Sequence, residues 1–167
     1  MQNIEKDIHE KFGGRLRTRV NGVLIEDDKI LMIKHRMGEN KSFWNVPGGG
    51  MDYNTNAAEN LQREYLEETG LKIEVLDFIT VTEFLQPPLH AIELFFEVRR
   101  KSGELIRGID PEMDLNRQVI EAVEFMDINA IKAIKKSEKH QLFWNLNSLK
   151  DIRIWKGYFN FENKCIK

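Results

Sequence analysis

Three glutamates, Glu64, Glu67 and Glu68, stand at i, i+3 and i+4 within the stretch 49–71, GGMDYNTNAAENLQREYLEETGL. If that stretch is helical, the three carboxylates share one face. A helix is a poor host for them. Like charges at this spacing cost about 0.2–0.5 kcal/mol per pair, and a helix C-terminus favours cations. Arg63, four residues before Glu67, supplies one counter-charge against three. A divalent cation would close the deficit, and an all-oxygen donor set suits Mg²⁺ or Mn²⁺. Ahead of the carboxylates, Gly48, Gly49 and Gly50 permit the close backbone approach that phosphate-contacting loops require. A solvated acidic face is the plainer reading of three nearby glutamates. Glycines, helix and carboxylates in one run favour metal-assisted chemistry on a phosphorylated ligand.

The same stretch resembles the Nudix box, G-x5-E-x7-R-E-U-x-E-E-x-G-U, where U is a bulky aliphatic residue. Gly49, Arg63, Glu64, Glu67, Glu68, Gly70 and Leu71 fall in register without a gap, and Trp44-Asn45-Val46-Pro47-Gly48 matches the usual lead-in. Thr55 stands where the first box Glu is expected, Asn54 replaces the preceding Gly, and Tyr65 replaces the first U. The resemblance extends over most of the chain and leaves out residues 1–12 and the C-terminal extension from about residue 148. It implies an α+β fold, an α/β/α sandwich with a mixed β-sheet between helices.

The resemblance further implies hydrolysis of a nucleoside diphosphate linked to another moiety, by water attack on phosphorus. A nucleotide sugar or ADP-ribose-like substrate is preferred, from the likeness of HAIELFFEVRR and GIDPE to that part of the family. Glu67 and Glu68 would ligate the metal, with Glu64 as a further ligand or as base. Arg63 would orient a carboxylate, and Gly48, Gly49 and Gly50 would meet the metal or the diphosphate. The absent Glu at Thr55 is an auxiliary position, so its loss bears on metal occupancy and leaves the core set intact. A further carboxylate after the box is expected at Glu121, with Glu124, Glu112 and Glu93 as alternatives. Arg36, with Arg17, Arg19 and Lys34, could meet substrate phosphates, although such alternation usually marks a solvated strand face. His90 reads as a structural or rim residue. A pyrophosphohydrolase of (oxidised) nucleoside triphosphates is the second reading, and a non-catalytic nucleotide sensor the third. The intact glutamates speak against the sensor.

The elements that must position these groups are readable in outline. Ile4, Ile8 and Phe12 recur at helical steps before Gly13-Gly14. RTRVNGVLIEDDKILMIKHR alternates about an acidic turn and predicts a β-hairpin. A short strand spans 43–46, and Pro47-Gly48-Gly49-Gly50 predicts a loop. Asn56 caps a helix over 56–69, with Glu59 completing a capping box and Gly70 as its stop. Two long strands follow around Gln86-Pro87-Pro88, then a strand at AVEFMDI and helices at INAIKAIKK and HQLFWNLNSL.

The composition sets the outer bounds. The chain has 167 residues, 41% of them hydrophobic and 31% charged, as expected of one folded domain over 1–167. No run reaches the roughly 18 apolar residues of a membrane span. The charged N-terminus has no apolar core of a signal peptide, so a cytoplasmic protein is expected. Cys165 is the sole cysteine, which excludes a disulfide framework or a cysteine metal cluster. Residues 131–167 carry a net +6 and the rest −8. A nucleic-acid partner is therefore not expected, because the body is acidic. The six aromatic residues of the basic tail are expected to pack on the domain or at a homodimer seam.

Overall fold

The computed structural model describes residues 4–111, 113, 118–155 and 157–160. In chain order these form α1 (Ile4–Phe12), β1 (Leu16–Val23), β2 (Ile25–Glu26), β3 (Lys29–Gly38), β4 (Lys41–Asn45), β5 (Gly48–Gly50) and α2 (Ala57–Thr69). Then follow β6 (Lys72–Gln86), β7 (Leu89–Ser102), β8 (Ile120–Met126), α3 (Ile128–Ala133), three short 3₁₀ turns and β9 (Tyr158–Asn160).

The strands divide between two sheets. One runs β5-β1-β7-β6-β9; in the other, β3 lies between β4 and β8 and also pairs β2. The first sheet is mixed, as expected, since β1 is antiparallel to β5 and parallel to β7. Helix α2 covers one side through Leu61 and Tyr65, both fully buried against Val20, Leu24, Leu31 and Val98. The opposite side is closed by α3 and the 3₁₀ turns, which bring Ile131, Phe143 and Ile152 onto Trp44, Val46 and Phe95. That layering is the α/β/α arrangement of the α+β class. Tyr65 fits where an aliphatic residue is usual because its ring packs on Gly22 and its hydroxyl donates to Gly22 O at 2.6 Å.

Three local expectations are corrected. The alternating segment 17–36 is not one hairpin: only Ile25–Glu26 pairs with β3, while β1 joins the other sheet beside β5 and β7. Alternation identifies a strand but not its neighbour. Gly48–Gly50 is strand β5 rather than loop, paired to Arg19, Val20 and Asn21. HQLFWNLNSL is not one helix. It holds a 3₁₀ turn at Gln141–Phe143, and Ser148 then caps a second turn at Leu149–Ile154.

Of the tail aromatics, Phe143 is buried in the core and Trp155 packs against it. The side chain of Phe159, and all of Phe161 and Cys165, lie outside the described residues. Among the described residues no helix is long and apolar enough to cross a membrane.

Candidate active site

Helix α2 starts and stops where its caps require. Asn56 Oδ1 accepts the Glu59 N–H at 2.9 Å, and the Gly70 N–H donates to Leu66 O at 3.0 Å. The glutamate face is thereby fixed against β5. Gly48 N–H donates to Glu68 Oε2 at 2.9 Å. Gly48 has φ +153°, and a Cβ there would stand 2.1 Å from Val20 O. A Cβ on Gly49 would stand 2.2 Å from Glu64 Cδ. Glycine is required at 48 by the neighbouring strand β1 and at 49 by the Glu64 carboxylate.

The loop between β5 and α2 is tied down by Asn60, which is 1% exposed. Its Nδ2 donates to Gly50 O at 2.8 Å, and its Oδ1 accepts from Asp52 N at 3.2 Å and Arg63 Nη2 at 3.2 Å. The Thr55 hydroxyl reaches Asp52 O at 2.8 Å and Asn60 Oδ1 at 3.1 Å. In this arrangement Thr55 braces the loop.

Arg63 is the hub of the acidic face. Its Nη1 lies 2.8 Å from Glu67 Oε2, and its Nη2 lies 2.9 Å from Glu64 Oε1 and 3.1 Å from Asp52 Oδ2. Glu68 Oε1 is 3.4 Å from His35 Nε2. One guanidinium does not satisfy this set. Burial, and next the charge of Glu68, push the Glu64 carboxyl up to about 8, against the lowering pull of Arg63 and Arg19. Hard oxygen donors short of positive charge fit Mg²⁺ or Mn²⁺. Among the described residues, however, no three His, Cys, Asp or Glu side chains converge as they do around a bound ion. Arg63 draws Glu64 and Glu67 to itself instead.

The glutamates open onto a cleft between α1 and α2. Gly48, Gly49 and Gly50 line it, and so do Glu64, Glu67, Glu68 and Arg63. Its floor is polar. The β1/β7 register sets Arg19 opposite Glu93, and Arg19 Nε lies 3.8 Å from Glu93 Oε1. Glu93 Oε2 lies 2.6 Å from His140 Nε2 and accepts from Thr82 Oγ1 at 3.2 Å. Burial pushes the Glu93 carboxyl up, but His140, Arg19 and Thr82 together hold it below the usual carboxylate range. Arg19 Nη2 also donates to Gly48 O at 3.3 Å, which ties this floor to the glycine strand.

Other expected site residues are placed as follows. Arg36 lines the cleft and pairs with Glu121 at 3.2 Å. Glu121 also pairs with Lys34 at 3.3 Å and is not among the residues lining the cleft. Arg17 and Arg19 line the cleft, so their strand face is not the solvated one. His90 is on the cleft wall and meets Glu83 at 2.8 Å. Glu124 is exposed on β8, and Glu112 lies outside the described residues. Sequence reasoning misses Asn60, His35 and His140 in these roles. Glu93, a lesser alternative at first, carries a signal: a charge in the row Ala91, Glu93, Phe95, which is otherwise apolar.

A family model described as the NUDIX domain matches residues 15–144. The chain is 29% identical over 140 residues to an ADP-ribose pyrophosphatase of Methanocaldococcus jannaschii, covering 83% of this chain and 73% of that protein. It is 33% identical over 61 residues to an 8-oxo-dGTP diphosphatase of Buchnera aphidicola subsp. Acyrthosiphon pisum, covering 36% of this chain and 48% of that one. Among solved structures, a NUDIX hydrolase from Nitrosomonas europaea superposes with a TM-score of 0.66 at 19% identity, over 77% of this chain and 84% of that one.

Proposed function

Because the chain belongs to the NUDIX domain family, a family of hydrolases of phosphorus-containing anhydrides, we propose that it is an Mg²⁺-dependent pyrophosphohydrolase of ADP-ribose or a related nucleoside diphosphate conjugate. The observation that carries this reading is the packing of Glu64 and Glu68 on Gly48 and Gly49, with Arg63 bridging Glu64 and Glu67.

Glu67 and Glu68 would hold the ion, with Glu64 as a third ligand or as acceptor of the attacking water's proton. When bound, the ion neutralises charge on the diphosphate oxygens. The residues of the chain do the rest. Arg63 holds Glu64 and Glu67 by hydrogen bonds from its two terminal nitrogens, and the Gly48 N–H holds Glu68. Gly49 and Gly50 present backbone to the substrate with no side chain in the way. Arg19 and Arg36, both on the cleft, add positive charge where the diphosphate would lie.

The substrate class is supported by the relative named an ADP-ribose pyrophosphatase, which aligns over 83% of the chain. The relative named an 8-oxo-dGTP diphosphatase aligns over 36% and supports the triphosphate reading less. A panel of ADP-ribose, a UDP-sugar and 8-oxo-dGTP, assayed with Mg²⁺, decides between them. The conjugates are expected to exceed the triphosphate in kcat/KM by about tenfold or more. The reverse order would move the substrate assignment to the triphosphate. No turnover of any of the three would favour a nucleotide sensor.

A further inference from the structure

Helix α1 lies outside residues 15–144 matched by the family model, yet it closes one end of the cleft. At the β3–β4 turn, Lys41 Nζ donates to Glu5 Oε1 at 2.7 Å, and Glu5 packs on Gly38. At the β6–β7 turn, the Gly14 N–H donates to Pro88 O at 3.0 Å, and Gly13 packs on the Pro88 ring. The helix thus bridges the tips of the two sheets. Its apolar face turns inward: Ile8 is 9% exposed, and Ile8 and Phe12 line the cleft together with Phe43, Phe84 and Leu89. Phe12 also carries the Arg17 guanidinium 4.3 Å from its ring centre. Arg17 Nη2 in turn stands 3.0 Å from where a Cβ on Gly50 would be.

Two chemistries therefore meet at α1. Arg17 brings positive charge to the glycine strand, suited to a diphosphate, and the phenylalanine rings offer faces suited to a flat, apolar ring system. We infer that α1 is the specificity element of this site: Ile8 and Phe12 form the wall on which the substrate's nucleobase rests, and Phe12 positions Arg17 toward the diphosphate. A lone apolar cap over a cleft end would explain Ile8. It would not explain a guanidinium stacked on Phe12 and aimed at Gly50.

The inference rests on the hydrolase reading, and the test separates the two. Phe12→Ala and Phe12→Trp, in the full chain with Mg²⁺, are compared with wild type on ADP-ribose and on diribosyl diphosphate, which lacks the base. The quantity read is the ratio of kcat/KM for the base-bearing over the base-free compound. Phe12→Ala is expected to lower that ratio by about tenfold, mainly through KM for ADP-ribose. Phe12→Trp keeps an aromatic helix end but fills the space, and it should lower the ratio as well. A ratio within about twofold of wild type in both variants would overturn the inference and leave α1 a structural cap. If wild type cleaves neither compound, the hydrolase reading fails and this one falls with it.

Discussion

Glu68→Gln is expected to lower kcat by about 10²–10³-fold in the presence of Mg²⁺, with the fold intact. Glutamine has the same shape, and its Oε1 still accepts the Gly48 N–H that joins β5 to α2 at 2.9 Å. What disappears is one negative charge at the place where a divalent ion must be held. Glu67→Gln should behave alike, although it also weakens the 2.8 Å contact with Arg63 Nη1. Steady-state kinetics alongside a thermal melt check both statements. Wild-type turnover in either variant would remove the metal-ligand assignment.

In chelator, stability is expected to fall as pH rises, and Glu64 is the reason. Its carboxyl sits near 8 in the folded chain, against 4.5 as the ordinary value. The folded state therefore keeps a proton that the unfolded chain releases. The stability tied to that proton is fully present below about 4.5 and is lost as pH rises through about 8. The total loss is on the order of a few kcal/mol, since each tenfold difference in proton affinity between the two states corresponds to about 1.4 kcal/mol. Urea unfolding at about pH 5 and about pH 9 reads this directly, and Glu64→Gln should flatten the difference. Saturating Mg²⁺ should flatten it too, by supplying the missing positive charge, and should raise stability by RT ln(1 + [L]/Kd). A slope that survives unchanged in Glu64→Gln would place its origin elsewhere.

The parts of the site written in contiguous sequence were legible, and the parts assembled from distant strands were not. Spacing alone places Glu64, Glu67 and Glu68 on one face of α2, and Asn56 and Gly70 mark its ends within one residue. Those are local, one-turn relations. The glycine run reads as a loop because glycine signals a turn through its backbone freedom. Here it signals a strand that must pass within contact distance of two carboxylates. That contact exists only once α2 has folded across β5.

The cleft floor was hidden for the same reason. Arg19 and Glu93 are brought together by parallel pairing of β1 with β7, and His140 reaches Glu93 from the segment after α3. No periodicity links residues so far apart along the chain. Helix α1 was visible as an apolar stripe at Ile4, Ile8 and Phe12, but a stripe does not say what it faces. Its position over the cleft depends on Lys41 and Pro88, in two separate turns.

The most direct measurement is hydrolysis of ADP-ribose in ¹⁸O-labelled water, with and without Mg²⁺, followed by mass spectrometry of the products. Water attack on phosphorus at the glutamate face should place one ¹⁸O on the phosphate of one of the two phosphomonoester products and none at the C5 carbons that bore the diphosphate. Turnover should collapse when the ion is chelated and return when Mg²⁺ is restored. Label at a C5 carbon that bore the diphosphate, or turnover that chelation leaves undiminished, would contradict a metal-assisted phosphoanhydride cleavage at Glu64, Glu67 and Glu68.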